Sequence, residues 1–499
     1  MTAPRTIIGL EVHLQLQTRT KIFCGCANRF NPDEPNVQTC PVCLGLPGAL
    51  PVLNRLALEL SVRAGLALDG SIATFTKWDR KQYYYPDLPK AYQISQFDIP
   101  FCQGGHLDVD LLEDNGDTLT RRIRLIRVHL EEDAGKNLHD ESGQGGNSRV
   151  DLNRAGTPLL EIVTEPDIRS AAEAHSFLKE LKLLMVYLGV SDCNMQEGSL
   201  RCDANVNLEV TNTDGDRVRT PIVEVKNLNS FRGVEAALEF EIARQLQEFH
   251  ECHGDYPDHS KQTRGWDADR SITFAQRGKE DASDYRFFPD PDLPPVTLSD
   301  QDIARQYDLL CETPAARRKR FHEQLGLSTY DASVLIELGP QTADYFEAAA
   351  EQCGDAKRTA NWVTQDVQRI LNEGNLEIDD LGVDAHGLAE LITRINSGQL
   401  TTQTARLVFA ALVENEGGEG SVSERIEHIV LERGLSAVDD SDSLEPLLDQ
   451  VIANNSQAAD DFRNGKDAAI GKLIGEVMRE LRGADPKTVR EALIARLRS

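Results

Sequence analysis

Leu200-Arg201-Cys202-Asp203-Ala204-Asn205-Val206-Asn207-Leu208-Glu209-Val210 alternates without interruption, with Leu200, Cys202, Ala204, Val206, Leu208 and Val210 on one side and Arg201, Asp203, Asn205, Asn207 and Glu209 on the other. A period of two predicts a β-strand with one face in a core. Ile7–Gln17 repeats the pattern, setting Ile8, Leu10, Val12, Leu14 and Leu16 against Gly9, Glu11, His13, Gln15 and Gln17, and Leu159–Glu165 and Pro221–Leu228 extend it. A sheet of such strands gathers Glu11, His13, Glu161, Asp203 and Glu224 on one polar face. Any half-buried strand has a polar side, but exposed strand positions ordinarily hold Thr, Lys, Arg or Ser. Here they hold carboxylates and an imidazole, the donors of a divalent metal site. A further stretch, Val128-His129-Leu130-Glu131-Glu132-Asp133-Ala134-Gly135-Lys136, ends in three successive acids. Mg²⁺ takes one or two carboxylates per ion beside phosphate oxygens, so several acids around two or three ions and a nucleotide would account for the whole set.

The strings IGLEVHLQLQT (8–18), WDRKQYYYPDLPKAYQISQ (78–96), VHLEEDAGK (128–136), VDLNRAGTPLLEIVTEPD (150–167), GSLRCDANVNL (198–208) and VEVKNLNSF (223–231) resemble, in order and wording, the GatB/GatE family, the B subunits of tRNA-dependent amidotransferases. The resemblance runs over essentially the whole chain. It implies an α+β fold with an antiparallel-sheet cradle of the glutamine synthetase/guanido kinase type, followed by an all-α helical domain and a YqeY-like helical tail. It also implies an ATP-dependent ligase that phosphorylates the side-chain carboxylate of aspartate or glutamate misacylated onto tRNA-Asn or tRNA-Gln, after which ammonia displaces the phosphate. By the same resemblance the active-site positions are Glu11, His13, Glu131, Glu132, Glu161, Asp203 and Glu224, all but Glu132 as Mg²⁺ ligands. The tyrosine run, with Tyr83 and Tyr85, is either a rigid, partly buried loop or the approach for the aminoacyl end of tRNA and for ammonia, with Lys77, Arg80, Lys81 and Lys90 facing phosphates. Arg149, Arg154 and Arg201 are the candidates for the nucleotide.

Cys24-Gly25-Cys26 and Cys40-Pro41-Val42-Cys43 are two close pairs across a short Pro- and Asn-rich stretch, the arrangement of a four-thiolate zinc knuckle (24–43); free or redox-active thiols are the alternative. The other six cysteines are scattered and read as small core residues or isolated thiols. Some members of the family carry the knuckle and others lack it, which marks it as structural.

With 499 residues the chain has room for two to four domains, and no apolar stretch nears the ~20 residues of a membrane span. No cleavable leader is visible at Met1–Ile8, so the expected compartment is the cytoplasm, where close cysteine pairs favour metal over disulfide. A net charge of −28 sits awkwardly with phosphate binding, and 15 lysines stand against 38 arginines. A halophile's salt-rich cytoplasm would account for both, since the Debye length falls to ~3 Å at molar salt, and tRNA contact would then rest on local basic patches.

Residues 1–296 hold the strand-like segments and the motifs, ending at the stiff run Phe287–Pro295. Helical patterning follows, with starts at Ser299-Asp300 and Thr313-Pro314 and a break near Ser397-Gly398, giving a helical domain over 297–397 and a tail over 398–499. Lys472, Arg479, Arg482, Lys487, Arg490, Arg496 and Arg498 make the end of this acidic chain locally basic. They are either solvated helix faces or, by the family reading, a grip on tRNA.

There is no GxxxxGK[ST] loop, so ATP must use the acidic face. No amidase-type nucleophile run appears, so ammonia must come from elsewhere; the resemblance supplies it from a GatA-type glutaminase subunit tied on by a small GatC-type subunit, with the non-discriminating aminoacyl-tRNA synthetase as a further candidate partner. Two rivals remain. The GatE paralogue carries an inserted synthetase-like domain for which Phe287–Ser499 leaves no room, and a non-catalytic zinc-bearing tRNA scaffold has no use for concentrated carboxylates.

Overall fold

The four alternating segments become neighbouring strands. In the computed structural model, which describes residues 4–112, 118–138, 148–212, 215–252, 260–276, 285–435, 441–463, 466–480 and 486–498, they are β1 (Arg5–Gln15), β3 (Pro158–Thr164), β4 (Leu200–Thr211) and β5 (Val223–Leu228), and β2 (Thr118–Glu132) joins them. Their spatial order is β2-β3-β1-β4-β5 inside an 11-stranded sheet. These pairs are antiparallel. The expectation of an antiparallel sheet needs one amendment, because β5 runs parallel to Gln262–Asp267. Such a pairing needs a long crossover, and the 22-residue helix Phe231–Cys252 lies within it.

Alternation becomes burial. Leu10, Val12 and Leu14 of β1, Leu160 and Ile162 of β3, Val128 and Leu130 of β2 and Ala204 and Val206 of β4 are fully buried, sharing one core with Phe177, Leu178 and Leu181 of the helix Ala171–Tyr187 and with Ala237 and Leu238 of Phe231–Cys252. Ser170 caps the first of these helices by accepting from Glu173 N, while the Glu173 carboxylate accepts from Arg169 N. Each large apolar side chain moved out of water contributes about 1.5–3 kcal/mol, and a one-residue slip of β1 would put Glu11 and His13 in their place. That penalty fixes the register, and with it the polar face.

In β2 the alternation changes phase. Ile123 and Leu125 are buried, and then Val128 and Leu130. Opposite them β3 pairs Val163 with Arg127 but Thr164 with Leu125, so a bulge absorbs one residue.

Met1–Ala315 forms one compact unit and Ala316–Ser499 a second. Ser299 opens the helix Asp300–Tyr307 with a capping box, and Pro314 starts Pro314–Glu323. In the second unit all named elements are helical. Ser328, Asp355, Asp384, Thr401 and Ser421 cap successive helices, and Phe321 with Phe346 and Trp362 with Phe409 meet edge to face. Leu448, Val451, Phe462, Leu473, Val477, Val489 and Leu493 form a core of their own at the end of the chain.

Candidate active site and metal centre

Strand register sets a row of side chains across four strands of the polar face: His129 of β2 opposes Glu161 of β3, Glu161 opposes His13 of β1, and His13 opposes Arg201 of β4. Glu131, two residues on from His129, joins them. His13 Nε2 lies 3.2 Å from Glu161 Oε2 and 3.6 Å from Glu131 Oε1. His129 Nε2 repeats those distances to the same two carboxylates, and Ser95 Oγ donates to Glu131 Oε2 at 3.0 Å. One donor atom each from His13, Glu131 and Glu161 fall within 4.8 Å of one another. Burial disfavours the charged imidazoles, yet the two carboxylates overcome it, raising His13 and bringing His129 to about 9. Glu161 is held well below its usual range, burial being outweighed by the two histidines.

The next two rows bring the other acids. Glu11 opposes Asp203 and Asn205 opposes Glu224. Burial raises the Glu11 carboxyl, and Glu161 and Glu224 add to it. Lys226 Nζ reaches Asp203 at 2.7 Å and Glu224 at 3.2 Å, and Lys261 Nζ lies 3.5 Å from Glu224. On the other flank Arg201 donates to Asp133 at 2.7 Å, Gln15 donates to it at 3.0 Å, and Arg154 Nε sits 3.4 Å away while donating to the carbonyls of Ala134 and Gly135. His129 Nδ1, Arg201 Nε and Asn205 Oδ1 are buried without a hydrogen-bond partner among the described residues. A carboxylate and imidazole donor set with further acids beside it fits a hard divalent cation.

Other sequence candidates lie apart from this set. Glu132 turns to the opposite side of β2 from Glu131, paired with Lys90 and accepting from Ile94 N at 2.9 Å. Lys77 is held by Asp79 at 2.5 Å and Asp98 at 2.6 Å. Arg80 is held by Asp290 and Asp292, with its guanidinium 4.2 Å from the Tyr92 ring centre. Three of the cations expected to meet phosphates therefore already have carboxylate partners. Lys81 lies against the rings of Tyr83 and Tyr285; Tyr83 is partly buried and donates to Gln93, and Tyr85 is exposed. Arg149 is exposed on a separate two-stranded ribbon.

The knuckle cysteines do converge. The sulfurs of Cys24, Cys26, Cys40 and Cys43 lie within 4.8 Å of one another. Cys40 N donates to Cys43 Sγ at 3.1 Å, and the fully buried Lys21 puts its ammonium 3.9 Å from the same sulfur while donating to Gln38 O at 2.6 Å. Hydrogen bonding from Cys24, with help from Lys21, pulls the Cys43 thiol down to about 5. Four soft donors at one point fit a tetrahedral thiolate metal site.

The description "GatB/GatE catalytic domain" matches residues 6–304, and "GatB domain" matches 344–497. The chain belongs to the GatB/GatE family. A relative from Rhodopirellula baltica, named as the B subunit of an aspartyl/glutamyl-tRNA(Asn/Gln) amidotransferase, is 51% identical over 98% of this chain and 96% of its own length. Relatives of the same name from Trichlorobacter lovleyi and Geotalea daltonii are 47% and 46% identical, each over at least 98% of both chains. Every candidate of the polar face falls inside the family's catalytic domain.

The sequence reading missed His129, Asp133, Lys226 and Lys21 as site residues. For Lys226 the signal was there, since it shares a face with Glu224 two residues earlier. In the family's terminal region Lys472 and Arg490 are exposed, Arg479 pairs with Glu476 and Arg496 with Asp449. Arg482 lies outside the described residues, as do the side chains of Lys487 and Arg498.

Proposed function

We propose that this chain is the carboxylate-activating subunit of a tRNA-dependent amidotransferase acting on Asp-tRNA(Asn), Glu-tRNA(Gln) or both. The observation that carries the reading is the convergence of His13, Glu131 and Glu161 from three strands at one point of a polar face, beside His129. The relatives' name supports the substrate. The side-chain carboxylate of the aminoacyl group attacks the γ-phosphorus of ATP and ADP leaves. Ammonia then attacks the resulting acyl phosphate, inorganic phosphate departs, and the nitrogen loses its excess proton to leave an amide. Mg²⁺ on His13, Glu131 and Glu161, with Glu11, Asp203 and Glu224 as further ligands, would supply positive charge where negative charge gathers on the transferring phosphoryl group.

The chain's own residues do the rest. Ser95 and His129 fix the orientation of Glu131 and Glu161. Asp133, held by Gln15, Arg154 and Arg201, keeps both guanidiniums at the edge of the face. Lys226 and Lys261 limit repulsion among the acids. Lys90 and Glu132 border the side from which ammonia arrives, next to the knuckle. A structural Zn²⁺ on Cys24, Cys26, Cys40 and Cys43 closes the loop that follows β1.

The cradle of glutamine synthetase/guanido kinase type, a GatA-type glutaminase, a GatC-type partner and a cytoplasmic location complete the proposal. No described helix is long and apolar enough to cross a membrane. The test is ATP hydrolysis by the assembled enzyme: misacylated tRNA should stimulate it strongly and correctly acylated tRNA should not. Equal rates with both would sink the reading.

A further inference from the structure

Four aromatic rings run in sequence along one margin of the polar face. Tyr83 meets Tyr285 edge to face at 6.0 Å between ring centres and 70°, Tyr285 meets Phe287 at 6.0 Å and 74°, and Phe287 stacks on Phe97 at 4.1 Å and 8°. Both ends are tied to the acid-bearing strands. At the inner end Tyr83 donates to Gln93, whose amide donates to the carbonyl of Glu132 at 2.7 Å. At the outer end the carbonyl of Phe97 accepts from Arg127 at 3.3 Å, and Arg127 stands in the cross-strand row Arg127–Val163–Glu11.

Structural packing alone accounts poorly for this arrangement. Phe97 is 48% exposed, so its stack with Phe287 is presented to solvent rather than sealed in the core. A large aromatic left half in water forgoes much of the stabilisation that burial would contribute. The ladder also carries positive charge: the Lys81 ammonium lies 4.9 Å from the Tyr285 ring centre and 5.9 Å from that of Tyr83, and Arg127 flanks the other end. Rings interleaved with cations are what single-stranded nucleic acid needs, each base finding a π-face and the backbone finding counter-charge.

We propose that this ladder is a stacking platform for the unpaired 3′-terminal nucleotides of the charged tRNA, delivering the aminoacyl group to the acids at its inner end. The inference rests on the amidotransferase reading above. A run of several rings suits successive bases, whereas ATP brings a single base. Adenosine is nonetheless the competing occupant, and the test separates the two.

The experiment uses the full chain assembled with its partner subunits, and the variants Phe97→Leu, which keeps the apolar contact with Phe287 but removes the π-face, and Phe97→Trp, which restores it. Loss of one base stack corresponds to about a 5- to 150-fold change in affinity. Phe97→Leu should raise KM for charged tRNA by an amount in that range and leave kcat and the KM for ATP at parent values, while Phe97→Trp should behave as the parent. Trimming the unpaired 3′ nucleotides from uncharged tRNA should weaken binding to the parent much more than to Phe97→Leu.

An unchanged KM for charged tRNA in Phe97→Leu, or equal losses on trimming, would overturn the platform. A raised KM for ATP alone would reassign the rings to adenosine. A parent complex that amidates no charged tRNA would overturn the underlying reading instead.

Discussion

The protein carries two clusters able to hold a metal, and they are built in opposite ways. His13, Glu131 and Glu161 stand on three adjacent strands of a sheet whose other face is packed in the main core, so their separation is fixed by register before any ion arrives. Cys24, Cys26, Cys40 and Cys43 stand on turns and bends, tied down by isolated contacts such as the Thr20–Ala27 bridge and the Lys21–Gln38 hydrogen bond. In the first cluster the fold would organise a metal site; in the second a bound metal would organise the fold. Losing a ligand should therefore cost activity at one and stability at the other.

The sharpest test is His13→Ala or Glu131→Ala. Each should lower tRNA-dependent ATP cleavage and transamidation by about a thousandfold or more, the order expected when a charge-stabilising group at a transferring phosphoryl is removed. Glutamine hydrolysis by the partner subunit should stay measurable. Near-parent amidation by either variant would break the assignment.

Next in size is the double substitution Cys40→Ser with Cys43→Ser. Elemental analysis should find about one zinc per parent chain and none in the variant. A site saturated at a thousand times its dissociation constant contributes about 4 kcal/mol to stability, so thermal unfolding of the first unit should shift down by about 6 °C. An equally stable, metal-free parent would reduce the cysteines to loop packing.

His129→Gln sharpens the contrast from within the first cluster. Glutamine keeps a donor near Glu131 and Glu161 but changes its reach. Partners that orient metal ligands typically carry 10–100-fold in metal affinity, so Mn²⁺ binding, followed by electron paramagnetic resonance, should weaken by that factor, and His129→Ala by at least as much. Affinity unchanged in both would leave His129 a buried residue without a positioning role.

The smallest effect is expected at the far end. Leu388, Leu391 and Ile392 of the helix Ala385–Asn396 are buried, and that helix packs on Thr402–Val413 and Val422–Arg433, so a cut at 398 would strip its cover. The self-contained core from Leu448 onward makes a cut after Leu435 the better one. Removing Lys472, Arg479 and Arg490 with it should lower the slope of log affinity for tRNA against log salt by about 2–3, at roughly 0.7–0.9 for each phosphate left without its cation. Parallel salt dependences for the full and shortened chains would make the tail a structural appendage.

Four strands of the polar face were legible because alternation survives wherever one face is buried, and their bounds fall within two residues of those read from Ile7–Gln17, Leu159–Glu165, Leu200–Val210 and Pro221–Leu228. β2 was not legible. The bulge near Ile126 shifts its pattern midway, so Ile123 and Leu125 do not predict the side taken by Val128 and Leu130, and His129 never stood out as a neighbour of Glu131. The convergence of the four cysteines was legible for a different reason: they are close in sequence, so spacing alone brings them together. Lys21 offered no signal, because a single lysine before a cysteine pair has no period, and only the fold shows that it is buried beside Cys43.

Glu131 and Glu132 are consecutive, yet one faces His13 and Ser95 while the other faces Lys90. The end of β2 is thus a partition one peptide thick, with a carboxylate posted on each side. A single insertion between the bulge and His129 would move Glu131 into the post of Glu132, facing Lys90, and Leu130 into the post of Glu131 beside His13 and Ser95. In that rotated chain every side chain of the site would still be present in the sequence, and each would answer to the wrong room.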